Sequence, residues 1–132
     1  MRHLFPLPVL CVLLAACATP SSPQPGGPFT LARGAGMPVA SGLVLRFDAV
    51  DDSRCPAGVQ CVWAGRLSYR FSLRRGAGMP EAFTLSPEQP GAAPAALQGL
   101  RIVLDTHAIP PAPAPGAAVD YRATFSIVPS QP

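Results

Sequence analysis

The residues with the clearest potential for chemistry lie between Asp51 and Gly65. Cys55 and Cys61 are six positions apart, and Pro56 and Gly58 turn the chain between them. In an oxidising compartment this spacing favours an intraloop disulfide, which stabilises a fold by roughly 2–2.5 kcal/mol on the loop-closure model. The segment has no nearby histidine and no Cys-x-x-Cys motif, so it falls short of the usual zinc ligand set and redox pattern. We therefore predict a structural disulfide and no metal or other cofactor.

The residues that flank the cysteines offer a binding function. Trp63 lies on the same side of the chain as Cys61 by parity, and we expect it to pack on the sulfurs and cover one end of the core. Asp52 and Arg54 are expected to pair and hold the loop to the sheet, with an anion site on Arg54 as the alternative. A rigid loop of this kind can also be a recognition loop, as in a protease inhibitor.

Arginines recur at every fourth position after the loop. Arg66, Arg70 and Arg74 project from one strand face, with Ser68 and Ser72 between them. The row is either a solvated sheet face or a surface for an anionic partner, such as lipid headgroups or an acidic glycan. The formal net charge of the chain is only +3, which argues against nucleic acid as a partner.

Catalytic and metal-binding patterns are weak throughout the chain. His107 is the only histidine beyond the N-terminal region, and no Gly-x-Ser-x-Gly motif is present. Asp51 and Asp52 are adjacent, so on a strand they point to opposite faces. Met37, Met79 and His107 would suit copper if they converged, although methionine is also a common core filler. We predict that the protein is not an enzyme, and copper binding remains an alternative.

The elements that must position these residues are β-strands. Apolar and polar residues alternate along residues 43–48, 66–74, 100–105 and 119–127, and shorter strands are predicted at 29–32 and 82–86. About six or seven strands joined by Gly/Pro turns predict an all-β fold, either a small antiparallel β-sandwich (Ig-like) or a barrel with one disulfide loop. A helical turn is predicted at 92–97. The ten residues 29–38 also match residues 71–80 closely, which predicts two similar hairpin turns.

The N-terminal region has the order of a secretory signal peptide: a basic start, an apolar stretch and small residues. Leu14-Ala15-Ala16-Cys17 resembles the lipobox of bacterial lipoproteins. The resemblance implies a signal peptide over residues 1–16 and a lipid on Cys17, followed by a Pro/Gly/Ser tether through residue 28 and the β domain over 29–132. Ordinary cleavage after Ala18, giving a soluble secreted or periplasmic protein, is the alternative.

The cysteine segment has a resemblance of its own. The string from Asp52 to Gly65, DSRCPxxxxCxWAG, resembles a motif of small exported bacterial proteins of unknown function, often lipoproteins. The likeness extends loosely to a Leu-x-Leu-x-Phe strand leading into Asp51 and to a final strand beginning at Tyr121. It implies a fold and a compartment but no activity.

These features together predict a lipid-anchored protein of the bacterial envelope, most simply at the outer membrane and facing the periplasm. Its β domain would have a binding or structural role without catalysis. The expected partners are the membrane, through the lipid, and an envelope protein or an anionic glycan or lipid. The alternatives are a protease-inhibitor-like protein and a copper-binding periplasmic accessory protein.

Overall fold

A computed structural model describes Thr19 and residues 21–131. The predicted signal peptide and the predicted lipidation site, Cys17, lie outside the described residues. In the part of the chain that is described, no helix is both long and apolar enough to cross a membrane.

The described chain forms two antiparallel sheets of four strands each, and it contains only short helical turns. One sheet has the strand order β1-β8-β7-β6 and the other has the order β2-β3-β4-β5. The strands are β1 (Gly26–Ala32), β2 (Gly36–Ala40), β3 (Leu43–Asp52), β4 (Leu67–Arg75), β5 (Glu81–Leu85), β6 (Gly91–Ala92), β7 (Leu100–Leu104) and β8 (Arg122–Pro129).

The sheets do not close into a barrel, so the predicted all-β class is confirmed in its sandwich form. Each sheet is built mainly of strands that are consecutive in sequence. Among the described strands only β1 and β8 are neighbours that are distant in sequence, whereas immunoglobulin domains pair distant strands in both sheets.

The alternating pattern of the sequence places one side of each strand in the core. On β3 and β4 the buried residues are Leu43, Leu45, Phe47, Leu67, Tyr69, Phe71 and Leu73. The opposite sheet contributes Leu31, Ile102, Leu104, Ala123, Phe125 and Ile127. The rings of Phe71 and Phe125 meet edge-on across the core, with 5.8 Å between centroids. Apolar burial between the sheets is therefore what holds the sandwich together.

The connections gather at two ends of the sandwich. The loop end, as we call it, carries the β3–β4 connection (residues 53–66) and the β7–β8 connection (residues 105–121). The opposite hairpin end carries the β4–β5 turn and the β6–β7 connection. There the carboxylate of Glu81 accepts hydrogen bonds from the amides of Ala95 and Ala96, at 2.8 and 3.0 Å, and so links the two sheets.

Some local predictions differ from the structure. β2 was not predicted, and β8 begins at Arg122 and not at Val119. The predicted turn at 92–97 divides into the end of β6 and a one-turn 3-10 helix at Ala95–Leu97. The repeated decapeptide does not form two similar hairpins. Its first copy crosses from one sheet to the other between β1 and β2, whereas the second joins neighbouring strands β4 and β5.

The chain before β1 lies against the sandwich. β1 starts at Gly26, three residues before the predicted domain boundary at Phe29. The amide of Ser41, in the β2–β3 turn, donates to Ser21 Oγ at 3.0 Å, and Pro23 is buried. Part of the predicted tether therefore belongs to the folded domain, because Ser21 contacts the β2–β3 turn and residues 26–28 lie in β1.

Candidate functional site

A disulfide closes the β3–β4 connection. Cys55 and Cys61 are bonded, with 5.8 Å between their Cα atoms, as the spacing predicts. Every residue from 57 to 66 is exposed. Below the disulfide the two arms of the loop are held by backbone hydrogen bonds, from Cys55 N to Ala64 O at 2.9 Å and from Ser53 N to Arg66 O at 2.8 Å. The loop is thus an exposed segment on a paired base.

Gly65 explains why the two arms can approach so closely. Its φ is +72°, in the region that favours glycine. A Cβ at this position would also overlap the carbonyl of Ser53 on the other arm. Any other residue would both strain the backbone and push the arms apart. The glycine that ends the DSRCPxxxxCxWAG string therefore has a structural reason to be there.

A β-bulge determines which aspartate faces inward. The register between β3 and β4 shifts between Phe47 and Ala49, so Asp52 lies opposite the buried Leu67. Without the shift, Asp51 would lie on the buried face together with Phe47. The extra residue of the bulge puts Asp52 on that face instead. As a result, Asp51 is exposed, while the side chain of Asp52 is only 5% exposed.

Asp52 is the centre of a group of contacts that we call the Asp52 clamp: Asp52, Arg54, Tyr121 and the carbonyl of Pro110. Arg54 donates from Nε to Oδ1 and from Nη2 to Oδ2 of Asp52, both at 2.8 Å. Its Nη1 donates to Pro110 O at 2.9 Å, and Tyr121 Oη donates to Asp52 Oδ2 at 2.8 Å. The clamp therefore ties the base of the disulfide loop to the β7–β8 connection.

The clamp shifts the ionisation of its members. The hydrogen bonds from Arg54 are the main cause that lowers the pKa of Asp52 to about 2, against a partial opposing effect of burial. The bonds to Asp52 raise the pKa of Arg54. Burial, followed by the bond to Asp52, raises the pKa of Tyr121. The clamp is thus a charged carboxylate held by a charged guanidinium and a neutral phenol.

Arg54 is engaged and only partly accessible. Its side chain is 19% exposed, and three of its nitrogens donate to Asp52 and Pro110. The expected pairing with Asp52 is present. This arrangement favours the structural interpretation of Arg54 over the anion site.

The position expected for Trp63 is wrong. The side chain does not cover the core, because Trp63 is 79% exposed and its neighbour Val62 is 95% exposed. Both residues lie beyond the paired base of the loop, where no strand partner draws them inward. Trp63 borders a shallow depression that is also lined by Ser53 and Arg66. It is therefore available to a partner.

The predicted arginine row is on the outer face of the sheet that contains β4. Arg70 and Arg74 are exposed, and their cross-strand partners on β3 are Ala49 and Val44. Arg66 immediately precedes β4, and it lines both the depression beside Trp63 and a second one with Ser68 and Thr84. Of the predicted residues, Trp63 and Arg66 thus lie together, while Arg70 and Arg74 continue along the sheet.

The three residues that would suit copper, Met37, Met79 and His107, do not lie together. Met37 lies on β2 and packs against the core. Met79 is 93% exposed in the β4–β5 turn at the hairpin end, whereas His107 follows β7 at the loop end. These positions do not form a copper site.

Sequence reasoning missed the parts of the clamp that are distant along the chain. Tyr121 is 69 positions from Asp52, and Pro110 is 56 positions from Arg54. The only signal available in the sequence was that Asp52 and Tyr121 both belong to the segments on which the expected resemblance to small exported proteins is based. Comparisons with protein-family models, with curated proteins and with solved structures find no match.

Proposed function

We propose that this protein is a lipid-anchored protein of the bacterial envelope whose disulfide loop binds an envelope protein, without catalysis. The lipid would be attached to Cys17 and would hold the sandwich at the membrane surface, most simply at the outer membrane and facing the periplasm. Because Ser21 and Pro23 lie against the domain, only a short segment after Cys17 would separate the lipid from it.

The exposure of Val62 and Trp63 on a closed loop is the observation that carries the proposal. A tryptophan is among the residues that contribute most to protein–protein binding when a partner buries it. A disulfide and a paired base lower the entropy that the loop loses on binding, since its conformations are already restricted. Arg66, beside Trp63, would supply a polar contact at the rim of such an interface.

Photo-crosslinking in intact cells tests the proposed interface. A photoreactive residue in place of Trp63 is expected to give one discrete adduct with an envelope protein. The matched control is Met79, which is also a large apolar residue and is 93% exposed, but lies at the hairpin end. The Cys55→Ser/Cys61→Ser variant should weaken the adduct at position 63, because the loop is then open. Equal adducts from positions 63 and 79, or none from either, would reject the interface.

The anchor has a separate test. Mass spectrometry of the mature chain should find acyl groups on Cys17, and Cys17→Ser should abolish them and release the protein from membranes. Cys11→Ser is the matched control, because it lies in the apolar stretch and leaves the lipobox intact. A mature chain that begins at Thr19 would instead establish ordinary cleavage.

A protease-inhibitor-like role is the second candidate, and the continuous exposure of residues 57–66 around the disulfide favours it. Such a loop could enter a protease active site in one preset conformation. The oxidised protein would then inhibit serine or cysteine proteases, and reduction of the disulfide would weaken inhibition by about tenfold or more. If the oxidised protein inhibits none of a representative panel, this candidate is eliminated.

A further inference from the structure

The outer face of β4 carries a row of cations with a regular spacing. Arg66, Arg70 and Arg74 occupy every fourth position, and the odd-numbered residues between them are buried in the core: Leu67, Tyr69, Phe71 and Leu73. A strand rises about 3.3 Å per residue, so consecutive arginines are about 13 Å apart along the strand axis. Ser68 and Ser72 lie between them on the same face.

Each arginine of the row lines its own shallow depression. That of Arg66 measures about 510 Å³ and includes Ser68 and Thr84. The depression of Arg70, about 380 Å³, also contains Thr84. The depression of Arg74, about 260 Å³, contains Ser72 and Gly36. Short side chains on the neighbouring strands leave these spaces open, so each cation stands beside a hydroxyl group in a recess.

The arginines of the row form no salt bridge within the described part of the chain. Among the described residues the aspartates in salt bridges are Asp48, Asp52 and Asp120, and they pair with Arg46, Arg54 and Arg122. None of these salt bridges uses an arginine of the row.

Among the described residues, acidic side chains line the depressions of Arg66 and Arg70 but not that of Arg74. Glu88 lines the depression of Arg66, and Asp51 lies opposite Ser68 in the sheet. Asp48 lines the depression of Arg70. No acidic side chain lines the depression of Arg74, which instead contains a second arginine, Arg46. Arg46 is paired with Asp48, so Arg74 is the cation of the row that has neither a salt bridge among the described residues nor an acidic side chain in its depression.

We propose that this row binds a linear acidic polysaccharide that lies along β4. A guanidinium can donate two parallel hydrogen bonds to a carboxylate, and the serine and threonine hydroxyls can exchange hydrogen bonds with sugar hydroxyls. Recesses arranged in a line suit an extended chain better than a compact small molecule or the plane of a lipid bilayer. The proposal goes beyond the protein-binding role of the loop, because it uses the outer face of β4, which meets the loop surface only at Arg66, and a different chemistry.

Calorimetric titration with an alginate oligosaccharide, a linear chain of uronic acids, tests the proposal on the purified full chain in neutral detergent. We expect binding that weakens as salt is added, and no binding of a neutral glucan of equal length. The Arg70→Ala/Arg74→Ala variant should lose about tenfold or more in affinity. The control, Arg33→Ala/Arg122→Ala, changes the net charge equally at exposed positions elsewhere, and it should stay within about threefold of the parent.

Other polyanions define the outcomes that would overturn the proposal. Duplex DNA bound as tightly as alginate would mean a general electrostatic surface. Row-dependent binding to vesicles containing phosphatidylglycerol, without binding to alginate, would assign the face to a membrane. If the row variant and the control lost equal affinity for alginate, the effect would come from net charge and not from the arginine row. The crosslink at position 63 is expected to survive in the row variant, so failure here is distinguishable from failure of the proposed function.

Discussion

Arginine has two contrasting environments in this molecule. Arg54 lies in the Asp52 clamp, where the carboxylate of Asp52 and the carbonyl of Pro110 accept its hydrogen bonds and its side chain is 19% exposed. Arg70 and Arg74 lie on the outer face of β4, where they are exposed and form no salt bridge with the described residues. One arginine is used to build the fold, and the others are available to a ligand.

The contrast shows that strand parity and a local irregularity decide the role of a charged residue. The bulge on β3 turns Asp52 inward, where it needs a partner, because a buried carboxylate is costly without one. Arg54 is close enough along the chain to supply that partner. No comparable bulge interrupts the pairing of β4 with β5. The even-numbered residues of β4 therefore stay on the solvent side of the sheet.

The largest expected effect comes from breaking the clamp. Arg54→Met should lower the free energy of unfolding by about 3 kcal/mol, because it leaves the Asp52 carboxylate buried without its main partner. Urea unfolding monitored by circular dichroism measures the change. Arg70→Met is the matched control and should alter stability by less than about 0.5 kcal/mol. If the two variants lost similar free energy of unfolding, Arg54 would be no more important to the fold than an exposed arginine.

The pH dependence of stability should report the same ion pair. The pKa of Asp52 is lowered from 3.8 to about 2 in the folded protein, so the folded state favours the charged form. Its contribution, about 2 kcal/mol, is complete above about pH 4 and is lost as the pH falls toward 2. Unfolding at a series of acidic pH values should show this loss in the parent. In Asp52→Asn the free energy of unfolding should fall less steeply with decreasing pH. An unchanged dependence on pH would assign the acid sensitivity to other carboxylates.

The sequence was sufficient to predict most of the sandwich, because its strands carry a strict alternation. Phe47, Phe71 and Phe125 are buried as their periodicity predicts. The disulfide was predictable too, since its two cysteines are local. β2 was not, because Gly36 and Pro38 are typical of a turn, and only pairing with β3 makes the segment a strand.

The site was predicted less completely, for two physical reasons. The contact of Tyr121 with Asp52 joins distant segments, so no local pattern signals it. Trp63 was placed by strand parity, but parity holds only where a chain pairs in a sheet, and the loop beyond its base does not. Large apolar side chains on such a loop can remain in solvent.

A smaller effect is expected from the hydroxyl group in the clamp. Tyr121→Phe removes one hydrogen bond to Asp52 and leaves the ring in place, so it should cost about 1 kcal/mol of stability. The measurement is the same urea titration as for Arg54→Met. In the double variant Arg54→Met/Tyr121→Phe, the two losses should not add, because both bonds end on one carboxylate. Strict additivity would show that the two contacts act independently.

The smallest effect on stability is expected at the arginine row. Arg70→Ala/Arg74→Ala should change the free energy of unfolding by no more than about 0.5 kcal/mol, because exposed arginines without partners contribute little. Removing the two charges should not stabilise the protein either, since their spacing of about 13 Å exceeds the screening length of about 8 Å at physiological salt. A loss above about 1.5 kcal/mol would mean that the aliphatic parts of these side chains cover the sheet. The row would then belong with Arg54 as part of the fold, and any loss of ligand affinity in the same variant could no longer be assigned to direct contact.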